Sequence, residues 1–378
     1  MKGAILADQA IFLTLAGSHA HGTARTGSDL DVRGVVVAPL VQRVSLRPCF
    51  EHAEGLLPPE LLQLIEPSLV RHDTARLALA PKAEFAVDEL AKFLTLCAAA
   101  NPGALEVLFT DERHWLFVRP AWHRLHAVRH LFLTLKVQQT FTGYAMAQLQ
   151  RIKSHRVWLL DPPKAKPTRA AFGLPEHSAL LDRDQRNRLE QSLADKLRSY
   201  GVDELEMPRD TRIALRERLL AFTVDALTRA PDQVESDLRE VAAHALGLPK
   251  NLIEALNAEK RYQTAMRHWE SFQGWKNQRN PARAALEREF GYDTKHAMHL
   301  IRLMRMGLEA LQSGDLLVER PDAAELRRVR EGGMSYEALA AEATALRDLM
   351  TEAATTSSLP AEVEPDALDA LYFELASK

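Results

Sequence analysis

Two aspartates separated by one residue, Asp29 and Asp31, follow a Gly-Ser pair that ends an apolar run. The run is Ile11–Ala16, and Gly17 and Ser18 come directly after it. Carboxylates at positions i and i+2 of a strand lie on the same face, because strand side chains alternate. Oxygen ligands on one face suit a hard cation such as Mg²⁺, which also takes phosphate oxygens. The spacing therefore predicts a magnesium site beside a turn.

The Gly-Ser pair has properties that suit phosphate binding. Gly17 lets backbone N–H groups approach a triphosphate without a side chain in the way, and the hydroxyl of Ser18 adds a donor. The β-branched, apolar segment Val32–Pro39 predicts a strand that Asp29-Leu30-Asp31 opens. A strand, a turn and a second strand carrying two carboxylates are the parts that metal-dependent nucleotidyl transfer needs. The alternative interpretation is a strand-turn-strand unit with a solvated Ser-Asp turn.

Gly17-Ser18 with Asp29-x-Asp31 resembles the signature of the DNA polymerase β-like nucleotidyltransferase superfamily. Within it, "GSHAHGTARTGSDLDVRGV" most resembles the predicted nucleotidyltransferases of the RNA-repair-associated polymerase β group. Two later stretches, Asn101–Phe109 and Gly291–Leu303, extend the resemblance over most of the chain. It implies two-metal transfer of a nucleotide from a nucleoside triphosphate to a hydroxyl, with loss of pyrophosphate, and does not identify the acceptor.

The resemblance also implies a third carboxylate on a later strand, and Glu84 is the candidate. Glu84 opens a short strand-like piece ahead of a helix, whereas Asp88 is expected as the N-cap of that helix and Glu89 in its first turn. Asp88 is the alternative third ligand, and a solvated strand end is the alternative role for Glu84. Asp29, Asp31 and Glu84 are thus expected to be catalytic and to hold two Mg²⁺ ions, with Mn²⁺ as the alternative metal.

A second group of candidates lies late in the chain. Lys295, His299 and Arg302 are spaced i, i+4 and i+7, which predicts one stripe on a helix that faces the triphosphate. An ordinary solvated basic face is the alternative. His296 and His299 have a spacing found in metal sites, but no third ligand lies near them in the sequence, so zinc is not expected and His296 is expected to pack or hydrogen-bond.

Arg33 follows Asp31 by two residues and therefore shares the face of the two aspartates. It is expected to contact the nucleotide together with Gly17 and Ser18. The alternative is an ion pair with one of the carboxylates.

Composition indicates an ordinary globular chain of 378 residues, 46% hydrophobic and 26% charged. The net charge of −3 gives no general attraction to nucleic acid, so an RNA contact needs a local basic patch. The spacing of the two cysteines is not that of metal ligands. Neither a signal peptide nor an apolar run that could span a membrane is visible in the sequence. A cytoplasmic protein without membrane contact is expected; the sequence does not determine its oligomeric state.

The expected fold is α+β. Residues 1–120 are predicted to form a small mixed-sheet nucleotidyltransferase domain, and residues 121–378 a larger all-helical domain that completes the substrate cleft. Its predicted helices include 178–200, 210–227 and 232–245. The proline-rich segment 159–169 must interrupt the helices, and its Lys164, Lys166 and Arg169 are the best candidates for RNA contact.

RNA is the expected acceptor because the resemblance is to an RNA-repair group. Two alternatives remain: nucleotidylation of a protein or a small molecule, and a non-catalytic module that senses nucleotide or RNA.

Overall fold

A five-stranded mixed sheet forms the N-terminal part of the computed structural model. The strands are β1 (Ala10–Leu15), β2 (Leu30–Val36), β3 (His52–Leu56), β4 (Ala83–Glu89) and β5 (Trp115–Val118). Their spatial order is β3-β4-β2-β1-β5. Strands β2 and β4 are parallel, and the other neighbouring pairs are antiparallel. Helices form the C-terminal part, so the expected α+β fold is confirmed.

The structure describes residues 2–46, 50–69, 82–176, 250–277 and 281–376. Cys49 and the helices predicted at 178–200, 210–227 and 232–245 lie outside these ranges. The chain divides into two compact units, one formed by Met1–Leu160 with Pro281–Lys378 and the other by Asp161–Asn280. The sheet thus shares its unit with the last helices of the chain. The domain division at residue 120 stays a prediction.

Helices of very different length separate the strands along the chain and follow the last strand. They are α1 (Lys2–Gln9), α2 (Gly17–Ala20), α3 (Leu40–Arg43), α4 (Pro59–Leu69), α5 (Leu90–Ala98), α6 (Pro102–Leu108), α7 (Pro120–Ala127), α8 (Lys136–Leu160), α9 (Lys250–Asn277), α10 (Pro281–Phe290), α11 (Thr294–Ser313), α12 (Ala323–Arg330), α13 (Tyr336–Thr356) and α14 (Pro365–Ala376). Short 3-10 turns are formed by Glu112–His114, Arg129–Phe132 and Arg169–Phe172. No helix among the described residues is long and apolar enough to cross a membrane.

Alternation along the strands gives the sheet two faces with different cover. Leu13 and Val32 pack with Leu61 of α4 in one buried cluster. Phe12 and Val35 lie in a second buried cluster, which the later helices complete. The even spacing from Val35 back through Arg33 to Asp31 puts these polar residues on the second face, toward the start of β2, where they stay partly accessible.

Helix α11 is the centre of the helical core, and it packs on both α8 and α13. Gly307 lies at this crossing: a Cβ there would come within 2.6 Å of the Cε of Met350 and 2.9 Å of the Cβ of Phe141. The missing side chain lets the three helices approach closely. The core therefore holds α11 firmly beside the sheet in the first unit.

Strand β4 is longer than the sequence indicated. Glu84–Val87 is confirmed as strand, but β4 continues through Glu89 because it pairs with β2 on one side and β3 on the other. The N-cap of α5 is consequently Glu89, whose side chain accepts from the backbone N–H of Ala91 at 2.7 Å. The expected cap at Asp88 was wrong, since that residue is still in the strand.

The proline-rich segment interrupts the helices as expected. Helix α8 ends at Leu160, and only a short 3-10 turn follows in the described residues up to 176. In the second unit, Arg169 donates two hydrogen bonds to Glu259, at 3.0 and 2.6 Å, and lies over the ring of Tyr262. Lys164 and Lys166 are exposed. Only these two cations of the expected basic group therefore remain accessible.

Candidate active site

Gly17 lies directly against Asp31. Its φ of +58° is in the left-handed region, which favours glycine. The backbone N–H of Ala16 donates to the carbonyl of Asp31 at 2.9 Å. A Cβ added at Gly17 would overlap Oδ2 of Asp31. The position thus needs glycine both for its backbone conformation and for the space that the carboxylate occupies.

The connection from the Gly-Ser pair to β2 is closed by its own hydrogen bonds. The N–H of Thr23 donates to the carbonyl of Ser18 at 2.9 Å. The N–H of Arg25 donates to Oγ of Ser28 at 2.9 Å. Asp29 follows at once and is exposed, directly ahead of β2. The loop therefore returns the chain so that Asp29 and Asp31 lie beside the turn that precedes them.

The parallel pairing of β2 with β4 places Glu84 next to Asp31. The two residues are register partners, so their side chains lie on the same face of strands about 4.8 Å apart. Asp88 is instead the partner of Val35, four residues or about 13 Å farther along β2. This geometry favours Glu84 over Asp88 as the third carboxylate.

The charges around Asp31 oppose one another. Burial raises the pKa of Asp31, the charges of Arg33 and Lys295 lower it, and the nearby Asp29 and Glu84 raise it. The net effect is a raised pKa. Burial therefore makes the charged form of Asp31 less favourable than in water, and a bound cation would stabilise that form.

Lys82 is a cation of the site that the sequence analysis did not identify. The one feature of the sequence that could have indicated it is its position two residues before Glu84. Its ammonium forms an ion pair with Glu84, which raises the pKa of Lys82, and the charge of Asp29 adds to the effect. Within the described ranges, the oxygens of Asp29, Asp31 and Glu84 do not all lie within 4.8 Å of one another. Joint ligation of one ion would thus require Glu84 to turn away from Lys82.

A cleft of about 440 Å³ is lined by Asp31 and Asp88, and Glu84 lines a neighbouring cavity of about 360 Å³ that also reaches Asp31. The sheet and its turns contribute one wall, α6 a second and α11 a third. The lining residues include Gly17, Asp31, Arg33, Glu106, His299 and Arg302. The structure thus brings the predicted late-helix residues to the Gly-Ser turn, with His299 and Arg302 in the wall and Lys295 close enough to influence Asp31.

Arg302 is buried and is held by a carboxylate. Its Nη1 donates to Oε1 of Glu106, and Nε2 of His21 lies 3.1 Å from Oε2 of the same residue. Burial alone would raise the pKa of Glu106, but the charges and hydrogen bonds of Arg302 and His21 hold it well below its usual range. The alternative of a solvated basic face is therefore wrong for Arg302. Glu106 lies in a stretch that carries the family resemblance, but its type and spacing predicted no role for it.

His299 differs from the other two members of its stripe. Burial lowers the pKa of His299 well below 6.5, and the charges of Arg302 and Lys295 lower it further. Its imidazole is consequently neutral at neutral pH. The stripe therefore carries two cations, Lys295 and Arg302, and one neutral hydrogen-bonding group, and of these His299 and Arg302 line the cleft.

The N-terminal part of the chain is similar to a known protein family. Residues 7–160 match the model of the RNA repair pathway DNA polymerase beta family. The resemblance drawn from the motifs is thereby confirmed for this part of the chain, and the match supports a polymerase β-like nucleotidyltransferase. No curated protein and no solved structure matched the chain.

The match to the RNA repair polymerase beta family includes the whole sheet side of the cleft. Gly17, both aspartates, Glu84 and Glu106 lie within residues 7–160. Helix α11, which supplies the remaining wall, lies outside the matched residues. The cleft therefore joins a family-like sheet to a helix that comes late in the chain.

Proposed function

We propose that the protein is a metal-dependent nucleotidyltransferase that transfers a nucleoside monophosphate from a nucleoside triphosphate to the hydroxyl of an RNA end, releasing pyrophosphate. One observation carries the proposal. Asp31 and Glu84 are register partners on parallel strands, and Asp31 lies against Gly17 at a cleft within the family-matched part of the chain. This arrangement offers carboxylates for metal and a glycine turn for phosphate in one place.

Asp29, Asp31 and Glu84 are the residues that would hold Mg²⁺. Their oxygens suit a hard cation, and burial, which raises the pKa of Asp31, makes its charged form less favourable until a cation binds. Mn²⁺ accepts the same ligands. When bound, the metal supplies charge neutralisation at the phosphates and lowers the pKa of the attacking hydroxyl.

The residues around the carboxylates fit the triphosphate. Gly17 and Ser18 would receive the β- and γ-phosphates at their backbone N–H groups, and the exposed Arg33 would add a guanidinium on the sheet side. Lys295 and Arg302 would contribute positive charge from α11. Arg302 is fixed in place by Glu106, so it would meet a ligand without first losing side-chain freedom.

RNA as acceptor is supported by the family description and by two exposed lysines, Lys164 and Lys166. The alternatives are a protein or small-molecule acceptor and a non-catalytic nucleotide or RNA sensor. Arg156, which could have extended the basic group, donates to the carbonyl of Gly291 at 3.0 Å and lies over the ring of Tyr336. The basic surface available for RNA is therefore smaller than the sequence suggested.

The test is incubation of the purified chain with each α-labelled nucleoside triphosphate, Mg²⁺ and total RNA, followed by separation on a denaturing gel. We expect label in RNA, and none after chelation of the metal or in Asp31→Asn. Label in protein or in a small molecule would move the acceptor to the first alternative. Absence of transfer with retained nucleotide binding would favour the sensor and contradict the proposal.

A further inference from the structure

Three metal-ligating side chains meet outside the candidate active site. Nδ1 of His155 lies 3.9 Å from Oδ2 of Asp293, and Nε2 of His296 lies 3.6 Å from the same oxygen. All three ligand atoms lie within 4.8 Å of one another. Among the described ranges of the chain, this is the one group of three or more His, Cys, Asp or Glu side chains that meets this distance limit.

The fold explains why these residues meet. Asp293 is fully buried and caps α11, with its Oδ1 accepting from the backbone N–H of His296 at 3.1 Å. The cap directs Oδ2 toward the imidazole of His296, one turn into α11. Helix α8 packs along α11 and brings His155 to the same oxygen from the other side. The third ligand that the sequence around His296 lacks is thus supplied from a distant helix.

We propose that His155, Asp293 and His296 form a second metal site, which binds one divalent transition-metal ion of borderline softness, with Zn²⁺ as the best match. Two imidazole nitrogens and one carboxylate oxygen are a common ligand set for such ions. Zn²⁺ binds nitrogen and oxygen at about 2.0–2.2 Å, which places neighbouring tetrahedral ligands about 3.3 Å apart. The two nitrogen–oxygen separations would need to shorten by about 0.3–0.6 Å, and the separation of the two imidazole nitrogens, which is within 4.8 Å, by at most about 1.5 Å.

The two imidazole–carboxylate contacts are ion pairs at 3.9 and 3.6 Å rather than short hydrogen bonds. A charge-assisted hydrogen bond between a protonated imidazole and a carboxylate has a length of about 2.7–2.9 Å. Both nitrogen–oxygen distances here are longer than 3.5 Å. They are too long for good hydrogen bonds but close to the spacing of two ligands around one shared ion. Both imidazoles retain about one sixth of their exposure, which leaves access for the ion and for a water as fourth ligand.

The site goes beyond the proposed function, because its ligands differ in kind from those of the active site. Asp29, Asp31 and Glu84 offer only oxygen and suit Mg²⁺, whereas the histidine-containing site suits Zn²⁺. A metal here would join α8 to the first turn of α11. The adjacent residue Lys295 acts on Asp31, so the ion would fix the end of the helix that borders the cleft.

The full chain is first stripped of metal with a chelator and returned to millimolar Mg²⁺. It is then titrated with Zn²⁺ as the only added transition metal. Co²⁺ is the spectroscopic probe, because its visible absorption reports nitrogen and oxygen ligation. We expect one tight equivalent of Zn²⁺ and a rise in the melting temperature. His155→Gln, His296→Gln and Asp293→Asn should each weaken Zn²⁺ binding about tenfold or more. Asparagine retains the helix cap at 293, so Asp293→Asn separates ligation from folding.

Two variants serve as controls. His123→Gln removes an exposed histidine from elsewhere on the surface, and Asp31→Asn alters the candidate magnesium site. Both should keep the Zn²⁺ equivalent. Because the readout is binding, failure here leaves the proposed nucleotidyl transfer untouched, and the reverse holds as well.

Trp158 gives an independent readout of the position of the ion. Its ring stacks on that of His155, with centroids 5.4 Å apart and an interplanar angle of 26°. Co²⁺ at His155 should quench this tryptophan, and Trp158→Phe should lose the quenching while keeping the Co²⁺ absorption. The proposal is overturned if the wild-type chain takes up no equivalent, or if a tight equivalent survives unchanged in His155→Gln or His296→Gln.

Discussion

At the level of single residues, Gly17 is required both by its left-handed backbone conformation and by its contact with Asp31. A comparison with another glycine separates the two effects. Gly17→Ala would place a Cβ on Oδ2 of Asp31 in addition to straining a left-handed backbone. Gly27 has a φ of +76° and no atom within 4 Å of an added Cβ. Gly27→Ala is therefore a matched control that carries only the backbone strain, which costs about 1–3 kcal/mol.

We expect Gly17→Ala to lose most Mg²⁺-dependent turnover and Gly27→Ala to keep it, although both should have lower melting temperatures. The comparison needs turnover and thermal unfolding measured on the same preparations. Equal activity in the two variants would show that the contact between Gly17 and Asp31 has no role in catalysis.

The neutral histidines of the cleft predict how stability depends on pH. The folded-state pKa values of His299 and His21 lie below 6.5, mainly because both are buried. Below that pH the unfolded chain binds more protons than the folded chain. The contribution of the two histidines to the free energy of unfolding is therefore fully present above pH 6.5 and is lost as the pH falls. Each histidine contributes about 1.4 kcal/mol per pH unit in the range where only the unfolded state is protonated.

His299→Gln should therefore flatten the plot of unfolding free energy against pH just below pH 6.5, by at most about 1.4 kcal/mol per unit. The depressed pKa of Glu106 also makes the free energy of unfolding fall as the pH falls. This effect begins only near the usual glutamate pKa of 4.5, outside this pH range. Urea unfolding at several pH values measures the slope, with His123→Gln as the exposed control. An unchanged slope in His299→Gln would contradict a depressed pKa for His299.

At the scale of elements, α11 presents two cations that differ in their contribution to the fold. Arg302 is buried and paired with Glu106, so Arg302→Ala should lower the unfolding free energy by about 3 kcal/mol because it leaves the carboxylate with only His21 as a partner. Lys295 is exposed, so Lys295→Gln should change stability much less. It should still weaken nucleotide binding, by about 1.5 kcal/mol.

The double variant Arg302→Ala with Glu106→Leu provides the decisive comparison for α11. Removing both charges should recover part of the stability that Arg302→Ala loses, but should not restore nucleotide binding. Urea unfolding and equilibrium nucleotide binding measure the two effects. If Lys295→Gln bound nucleotide as the wild type does, Lys295 would have no role in the nucleotide site.

The same elements show what the sequence could predict. The apolar run before Gly17, the β-branched run after Asp31 and the capping residue Asp293 follow local rules, and the corresponding elements are present in the structure. The N-cap of α5 was misplaced by one residue because pairing with two neighbouring strands extends β4. The partner of Arg302 is 196 residues away, and nothing local in the sequence identifies Glu106 as that partner.

At the scale of the whole molecule, an acidic chain must bind RNA through local positive charge. The net charge is −3, and Lys164 and Lys166 are exposed, whereas Arg169 is engaged by Glu259. The double variant Lys164→Gln with Lys166→Gln should make the log–log salt dependence of single-stranded RNA affinity shallower by about 1.4, or about 0.7 for each phosphate that a lysine no longer neutralises. Nucleotide affinity should not change.

Filter binding or anisotropy over a range of salt concentrations measures that slope. An unchanged slope would place the RNA contacts elsewhere or favour a different acceptor. Composition alone showed that any RNA contact has to be local. Which cations are accessible depends on side-chain pairs such as Arg169 with Glu259, and these follow from tertiary structure.

If Asp31 and Glu84 form a metal-dependent nucleotidyl transfer site, the rate of pyrophosphate release depends on both carboxylates. The rate is measured with Mg²⁺, nucleoside triphosphates and total RNA for the wild type, Asp31→Asn, Glu84→Gln and the matched control Asp88→Asn. We predict losses of about 100-fold or more for Asp31→Asn and Glu84→Gln, with unfolding free energy at least as high as that of the wild type in Asp31→Asn, and near wild-type release for Asp88→Asn. Near wild-type release by Asp31→Asn, or loss in Asp88→Asn with retention in Glu84→Gln, would contradict the assignment.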